Sequence, residues 1–432
     1  MPVKPVTRAS SARRKPVLKN GSTAAVASPR HPGVGLALAG GGPLGVTYEI
    51  GALNALSEAL DGVDFTGLGV YVGVSAGSVL ASGLANGIAP REICRLFIEG
   101  EPAGPSLEAF DPAMLLQPAT REYRRRLADL PRIGAHAIRS FWANPAGTGW
   151  GAAVARLGQL LPTGLFDNSH IDRYMRQLFE MPGRTNDFRK LCSKLILVAT
   201  DLDSGEAVEL GSAKFDYVPI SRAVQASAAL PLLFPPVTIA GRNYVDGALT
   251  KTLHASGAYA AGARLVIGVN PLVPYDAIAG GLGLDTHRAL LPGGLPMVLS
   301  QTFRALIHSR MKASVARYAN DYPGLDLVLF EPGRADIELF FTNIFSYASR
   351  RRLCEHAYQR TRADLLARSD TLAPIFARHG IALRLDVLRD ASRTLVPGAP
   401  SRTRPAPAVV HELEAAIASL ESWLRPQPAH SA

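Results

Sequence analysis

Val34-Gly35-Leu36-Ala37-Leu38-Ala39-Gly40-Gly41-Gly42-Pro43-Leu44-Gly45 and Gly69-Val70-Tyr71-Val72-Gly73-Val74-Ser75-Ala76-Gly77 are the two stretches that decide the fold. Each is a short apolar run that stops on glycines, which reads as a buried strand. Each leads into a helical pattern. After the first, Ile50, Leu53, Leu56 and Leu60 recur at helical spacing within residues 46–60, and after the second, residues 78–86 read as a helix. Residues 195–200 and 265–270 are further apolar runs that read as core strands. Strand–helix alternation favours a mainly parallel sheet covered by helices on both faces. The expected fold class is therefore α/β.

Working outward, the chain has 432 residues, 47% of them hydrophobic, with 46 Lys+Arg against 36 Asp+Glu and a formal net charge of +10. This composition excludes a wholly disordered chain, a collagen-like fibre and a disulfide scaffold. Cys94, Cys192 and Cys354 are widely spaced, odd in number and without a Cys-x-x-Cys pair, which suits a reducing compartment, with buried thiols rather than bridges or a zinc site. Residues 1–31 hold Lys4, Arg8, Arg13, Arg14, Lys15, Lys19 and Arg30 and no acid, so most of the net charge belongs to this tail. A nucleic-acid-binding body would carry its charge on a folded face, so no nucleic-acid partner is expected. The tail has no apolar periodicity and reads as disordered. Its apolar core, Ala24-Ala25-Val26-Ala27, is too short for a signal peptide. No stretch reaches the ~20 apolar residues of a membrane-spanning helix. The expectation is a cytoplasmic protein, with the basic tail offering peripheral contact to a membrane or lipid-granule surface.

Residues 100–165 break the strand–helix rhythm with short amphipathic pieces, six arginines from Arg121 to Arg139, and Trp142 and Trp150 nearby. They read as a helical insertion, equally well a solvated excursion or a lid for an acyl chain. Residues 296–320 and 347–378 also read as helical, so 276–394 is expected to be a helical C-terminal extension. Residues 395–408 carry Pro397, Pro400, Pro405 and Pro407 and read as a linker. Val410, Leu413, Ile417, Leu420 and Leu424 then form an apolar stripe on an amphipathic helix at 409–425, too short to stand alone.

Three glycine-marked sites carry the chemistry. The loop Gly40-Gly41-Gly42-Pro43-Leu44-Gly45 lies between the first strand and helix, where crowded backbone N–H groups face an anion at a helix N-terminus. The same Gly-x-Gly-x-x-Gly spacing marks dinucleotide-binding loops. Such a loop calls for an acidic residue at the end of the second strand, whereas Asp61 and Asp64 precede that strand. What ends it is Gly73-Val74-Ser75-Ala76-Gly77, a Gly-x-Ser-x-Gly at a strand-to-helix turn, which exposes Ser75 on a sharp elbow. The third site, Asp246-Gly247-Ala248, follows the strand-like Arg242-Asn243-Tyr244-Val245. Alone it fits a turn or a helix N-cap. No histidine offers a persuasive base: His254 is close to Asp246 in sequence but reads as a packing residue inside a helix, and His170, His287, His308, His356 and His379 have no motif around them.

The order of glycine loop, Gly-x-Ser-x-Gly and Asp-Gly-Ala resembles the patatin-like phospholipase family. Ala199-Thr200-Asp201-Leu202-Asp203-Ser204-Gly205-Glu206 and Ala223-Val224-Gln225-Ala226-Ser227-Ala228-Ala229-Leu230-Pro231, running into Phe234-Pro235-Pro236, agree with it. The resemblance covers residues 34–275. It implies a lipid acyl hydrolase working without histidine or cofactor. Ser75 would be the nucleophile and Asp246 the proton acceptor, with Gly40, Gly41, Gly42 and Gly45 building the oxyanion hole. Gly73, Gly77, Gly247 and Ala248 would complete the motifs. The chain departs from many members in having Leu44 where a basic residue precedes the last glycine of the loop, which weakens the case for a phospholipid headgroup in particular. An isolated Asp titrates near ~3.9 and is a feeble base, so the dyad calls for a partly desolvated carboxylate. No metal is called for: Asp201, Asp203 and Glu206 fit a hairpin turn around Ser204-Gly205. Two other readings stay open on the residues alone. One is a nucleotide-binding oxidoreductase using the Gly40–Gly45 loop, and the other is a catalytically silent scaffold of the same fold.

Overall fold

The computed structural model describes residues 28–104, 107–120, 122–124, 128, 162–276, 294–334, 336, 338–339 and 346–397. Their strands, in chain order, are β1 (His31–Leu38), β2 (Leu60–Asp61), β3 (Leu68–Val74), β4 (Lys194–Asp201), β5 (Ala207–Leu210), β6 (Val237–Ile239), β7 (Arg242–Asp246), β8 (Leu265–Val269), β9 (Asp326–Phe330) and β10 (Ala382–Leu383). The main sheet runs β6-β7-β4-β3-β1-β8-β9, with β5 also on β4. From β4 through β9 it is parallel: Leu36 pairs with Tyr71 and Ile267, Val72 with Ile196, and Ile267 with Val328. The expected mainly parallel sheet is thus present, widened by the antiparallel β5, β6 and β7.

Because side chains alternate along a strand, both faces must be covered. Leu36, Leu38, Tyr71, Leu195, Leu197 and Ile267 enter one core with the helices α1 (Gly42–Ala59) and α2 (Ala76–Ala85). Ala37, Val70, Val72, Val74, Ile196 and Val266 enter the other, against the helices Ala255–Ala260 and Gly294–Asp321.

The antiparallel additions matter for the site. Leu197 and Val198 of β4 pair with Gly73 and Val74 on one edge and with Leu210 and Glu209 on the other. Ala199 and Thr200 keep β5 on that second edge, so their first edge, past the end of β3, is open to β7, and Asp246 and Val245 occupy it. β7 therefore lies end to end with β3, pointing the opposite way.

Three expectations need correction. Within the supposedly helical 276–394, Asp326-Leu327-Val328-Leu329-Phe330 is a strand that adds to the main sheet beside β8. A five-residue apolar run has no period long enough to separate strand from helix, and its partner strand decides. The linker also begins later than residue 395. Leu395 and Val396 are buried, and both of their amides donate to Glu355 Oε2 at 2.8 Å. The helix Tyr347–Ala367 packs along α1, with Tyr358 Oη donating to Glu58 Oε2 at 2.6 Å, and the β2–β10 pair ties residues 382–383 to the segment just past α1. Of the cysteines expected to be buried, Cys94 and Cys354 are, but Cys192 is exposed. The basic tail up to residue 27, most of the insertion, and the remaining linker and terminal helix lie outside the described residues. The flanks of the insertion hold a 3-10 turn at Pro112–Leu116, and Phe110 packs on Phe97 and Tyr174 at ring distances of 4.9 and 5.3 Å. Among the described residues, no helix is long and apolar enough to cross a membrane.

Candidate active site

Parallel strands bring their C-terminal ends to one edge of a sheet, where loops are free to carry chemistry. Here β1 ends on the glycine loop and β3 on Ser75. Ser75 caps α2 with φ 52° and ψ −123°. A positive φ is costly for a residue with a Cβ, about 1–3 kcal/mol, and persists only where the surroundings hold it. They do so on both sides. The Ser75 amide donates to Ser227 Oγ at 2.9 Å, and Ser227 Oγ in turn donates to the Val198 carbonyl at 2.6 Å. Ser78 Oγ donates to the Ser75 carbonyl at 2.5 Å. The elbow also needs the flanking glycine: a Cβ on Gly77 would stand 2.6 Å from the carbonyl oxygens of both Leu38 and Ala39.

The end-to-end placement of β7 and β3 delivers Asp246 to this elbow. Ser75 Oγ donates to Asp246 Oδ2 at 2.5 Å, across 171 residues of sequence. The other oxygen, Oδ1, accepts the Ala248 amide at 2.8 Å, which fixes the carboxyl plane. The Asp246 amide donates to the Ala229 carbonyl, and Thr200 Oγ1 donates to the Asp246 carbonyl, both at 3.0 Å. Asp246 is only 1% exposed, and burial pushes its carboxyl up to about 6 against the pull of the Ser75 and Ala248 hydrogen bonds. Such a group is mostly ionised at neutral pH yet far more basic than an exposed carboxylate.

The glycine loop closes over the same spot. A Cβ on Gly40 would lie 2.9 Å from Ser75 Cβ and 3.3 Å from Ala248 Cβ, so the three motifs meet at this residue. Gly41 caps α1, Gly42 takes φ +58°, and the Gly45 amide closes the turn onto the Gly41 carbonyl at 3.0 Å. Gly41 and Gly45 both pack against Pro271. The amides of a helix's first turn have no partner within the helix, so the start of α1 presents donors at this edge. Leu44 is partly buried against the larger core and brings no charge to the loop. Glu49, two turns into α1, is wholly buried, and burial holds its carboxyl well above the usual carboxylate range.

Other sequence expectations sort around this centre. His254 is not inside a helix: it caps Ala255–Ala260 in a left-handed conformation, and its Nε2 lies 2.6 Å from Glu209 Oε1. Its φ of 48° and its charged partner make it a corner of the fold. His356 pairs with Asp336 and His379 with Asp326, while His308 lies 4.0 Å from Glu331; His287 lies outside the described residues. The acids of the Asp201–Glu206 turn serve the backbone. Asp201 Oδ1 accepts the Asp203 amide at 2.9 Å, the Gly205 amide reaches the Asp201 carbonyl at 2.8 Å, and Arg242 pairs with Asp201 Oδ2 at 2.8 Å. Among the described residues no group of acids, histidines and cysteines is arranged to hold a metal ion. Ser227, Thr200 and Ser78 support the site without having been singled out. The role of Ser227 rests on contacts 29 and 152 residues away, which no local pattern encodes.

Residues 36–259, more than half of the chain, match the family described as patatin-like phospholipase. No curated protein sequence matches the chain. Among solved structures, VipD from Legionella pneumophila is similar with a TM-score of 0.33 and 18% identity, over 78% of this chain and 66% of VipD. The type III effector protein ExoU is similar with a TM-score of 0.31 and 16% identity, over 77% of this chain and 52% of ExoU. ExoU in its complex with SpcU, from Pseudomonas aeruginosa, gives 0.25 and 16%, over 66% and 53%. The chain thus spans slightly less than two thirds of VipD and about half of ExoU.

Proposed function

The chain belongs to the patatin-like phospholipase family, and on that footing we propose that it is a serine acyl hydrolase cleaving carboxylic esters of lipids through Ser75 and Asp246. The observation that carries this reading is the 2.5 Å hydrogen bond from Ser75 Oγ to a buried carboxylate. Ser75 Oγ attacks the ester carbonyl carbon as its proton passes to Asp246 Oδ2. The raised basicity of the carboxyl makes that transfer workable near neutral pH. Charge developing on the carbonyl oxygen is met by the backbone amides around Gly40–Gly42, and donors of this kind typically contribute ~10²–10³ in turnover. Collapse of the tetrahedral adduct expels the alcohol, which takes the proton from Asp246. The same carboxylate then draws a proton from water, whose oxygen attacks the acyl carbon; as the bond to Ser75 Oγ breaks, Asp246 returns that proton to Oγ, leaving free acid and enzyme. The strained φ at Ser75 keeps the hydroxyl raised above the backbone throughout. With Leu44 at its fifth position, the glycine loop itself brings no cation to the reacting carbonyl, which favours an ester over a charged headgroup as what this loop recognises.

The test is reaction with a serine-directed fluorophosphonate followed by peptide mapping, together with fatty-acid release from diacyl and lysophospholipids and neutral esters. A single adduct on Ser75, absent from Ser75→Ala, with turnover lost in Ser75→Ala and Asp246→Asn, is the expected result. Equal labelling or equal turnover of Ser75→Ala would overturn the proposal.

A further inference from the structure

The loop that follows Asp246 builds a second concavity. Residues 250–254 and the middle of the helix Gly294–Asp321 line a cavity of about 270 Å³. Lys251, Arg310 and Arg317 all line it, together with Thr250, Thr252 and Ser314, and among the described residues no Asp or Glu does. Arg310 is held in place: Nη1 donates to the Leu249 carbonyl at 2.7 Å and Nη2 to the Thr250 carbonyl at 3.2 Å. A guanidinium carries five N–H donors, so those two bonds orient it without using it up. The acid behind the wall, Glu209, is taken by His254, although Lys251 also contributes to keeping it ionised. Among the described residues, none of the three cations has a carboxylate within ion-pair distance.

Three like charges drawn together around one hollow repel each other unless an anion joins them. A fork of fixed N–H donors, a second guanidinium and an ammonium suit a ligand with three or four acceptor oxygens on one centre. We infer that this cavity is an anion site that takes a phosphate group. Its wall is connected to the dyad: Thr250 Oγ1 lies 3.0 Å from Thr200 Oγ1, which donates to the Asp246 carbonyl. The phosphate belongs either to a lipid headgroup or to a soluble phosphate compound. Binding does not depend on hydrolysis, so the site stands or falls apart from the proposed reaction.

The experiment uses the full chain and Lys251→Gln/Arg317→Gln, two exposed side chains with no hydrogen bond to the rest of the described fold. Inorganic phosphate binding is measured by titration calorimetry. Sedimentation is measured with phosphatidylcholine vesicles with and without phosphatidic acid. The basic tail is common to both proteins, so the difference between them reads the cavity alone. Phosphate affinity should fall about tenfold or more in the double variant at an unchanged melting temperature. If phosphatidic-acid-dependent sedimentation falls with it, the headgroup is the source; if sedimentation is unchanged, the source is soluble. Each single variant is measured as well, so that misfolding of the double variant leaves the question answerable. No phosphate uptake by the wild type with no vesicle difference, or equal binding of both probes by wild type and variants, would overturn the site.

Discussion

Asp246→Asn should make the protein more stable while removing its activity. The wild-type carboxyl moves from the ordinary 3.8 to about 6 on folding, because burial penalises the charged form more than its two hydrogen bonds favour it. Between those values the unfolded chain has lost its proton while the folded chain keeps it, so stability falls as pH rises from about 4 to about 6 and is level above. That difference corresponds to about 3 kcal/mol. Asn is nearly isosteric and never ionises. Its Oδ1 still accepts the Ala248 amide, and its Nδ2 can donate to Ser75 Oγ in place of the reverse bond. Urea unfolding of both proteins across the pH range isolates this group, since every other titration is shared. The excess stability of Asp246→Asn should be near zero at about pH 4 and grow to about 3 kcal/mol at about pH 8, or several degrees in Tm. Turnover should meanwhile drop about 10²–10⁴-fold. A variant less stable than wild type at pH 8, or an excess that is the same at both ends, would refute the argument that burial sets the basicity of Asp246.

On the proposed mechanism the same carboxylate sets the pH dependence of catalysis. Log kcat/KM on a water-soluble ester should rise with unit slope below about pH 6 and level off above it, since only the ionised form accepts a proton, and a flat profile would remove Asp246 as base. Ser227→Ala deletes the acceptor of the Ser75 amide in a fully buried position; it should cost about 1–3 kcal/mol in urea unfolding and lower kcat with little change in KM. In Gly77→Ala the new methyl meets two backbone oxygens at 2.6 Å, neither of which can rotate away. Its melting temperature should fall by the equivalent of about 1–3 kcal/mol or more, and a variant as stable as wild type would show that the elbow has room for a methyl group.

Local pattern was enough for the framework. The apolar runs ending at Leu38 and Val74, each followed by glycine and helix, announce parallel strands with loops at their C-terminal ends, because buried strands and amphipathic helices have periods that survive in one dimension. The same reasoning marked Ser75 as an elbow, because its turn needs glycine on either side. It could not see β9, whose five residues are too few to show a period, nor that His254 caps a helix and faces Glu209. No local pattern pairs Ser75 with Asp246: they meet because β7 runs antiparallel on the edge of β4 that β3 leaves empty. Strand register and edge occupancy depend on contacts between distant segments, and Ser227, bridging Ser75 to Val198, is of the same kind. Residue order alone determined which groups were available for chemistry. Only the folded sheet decided their separation and the desolvation of the carboxylate, since both depend on neighbours far away in the chain.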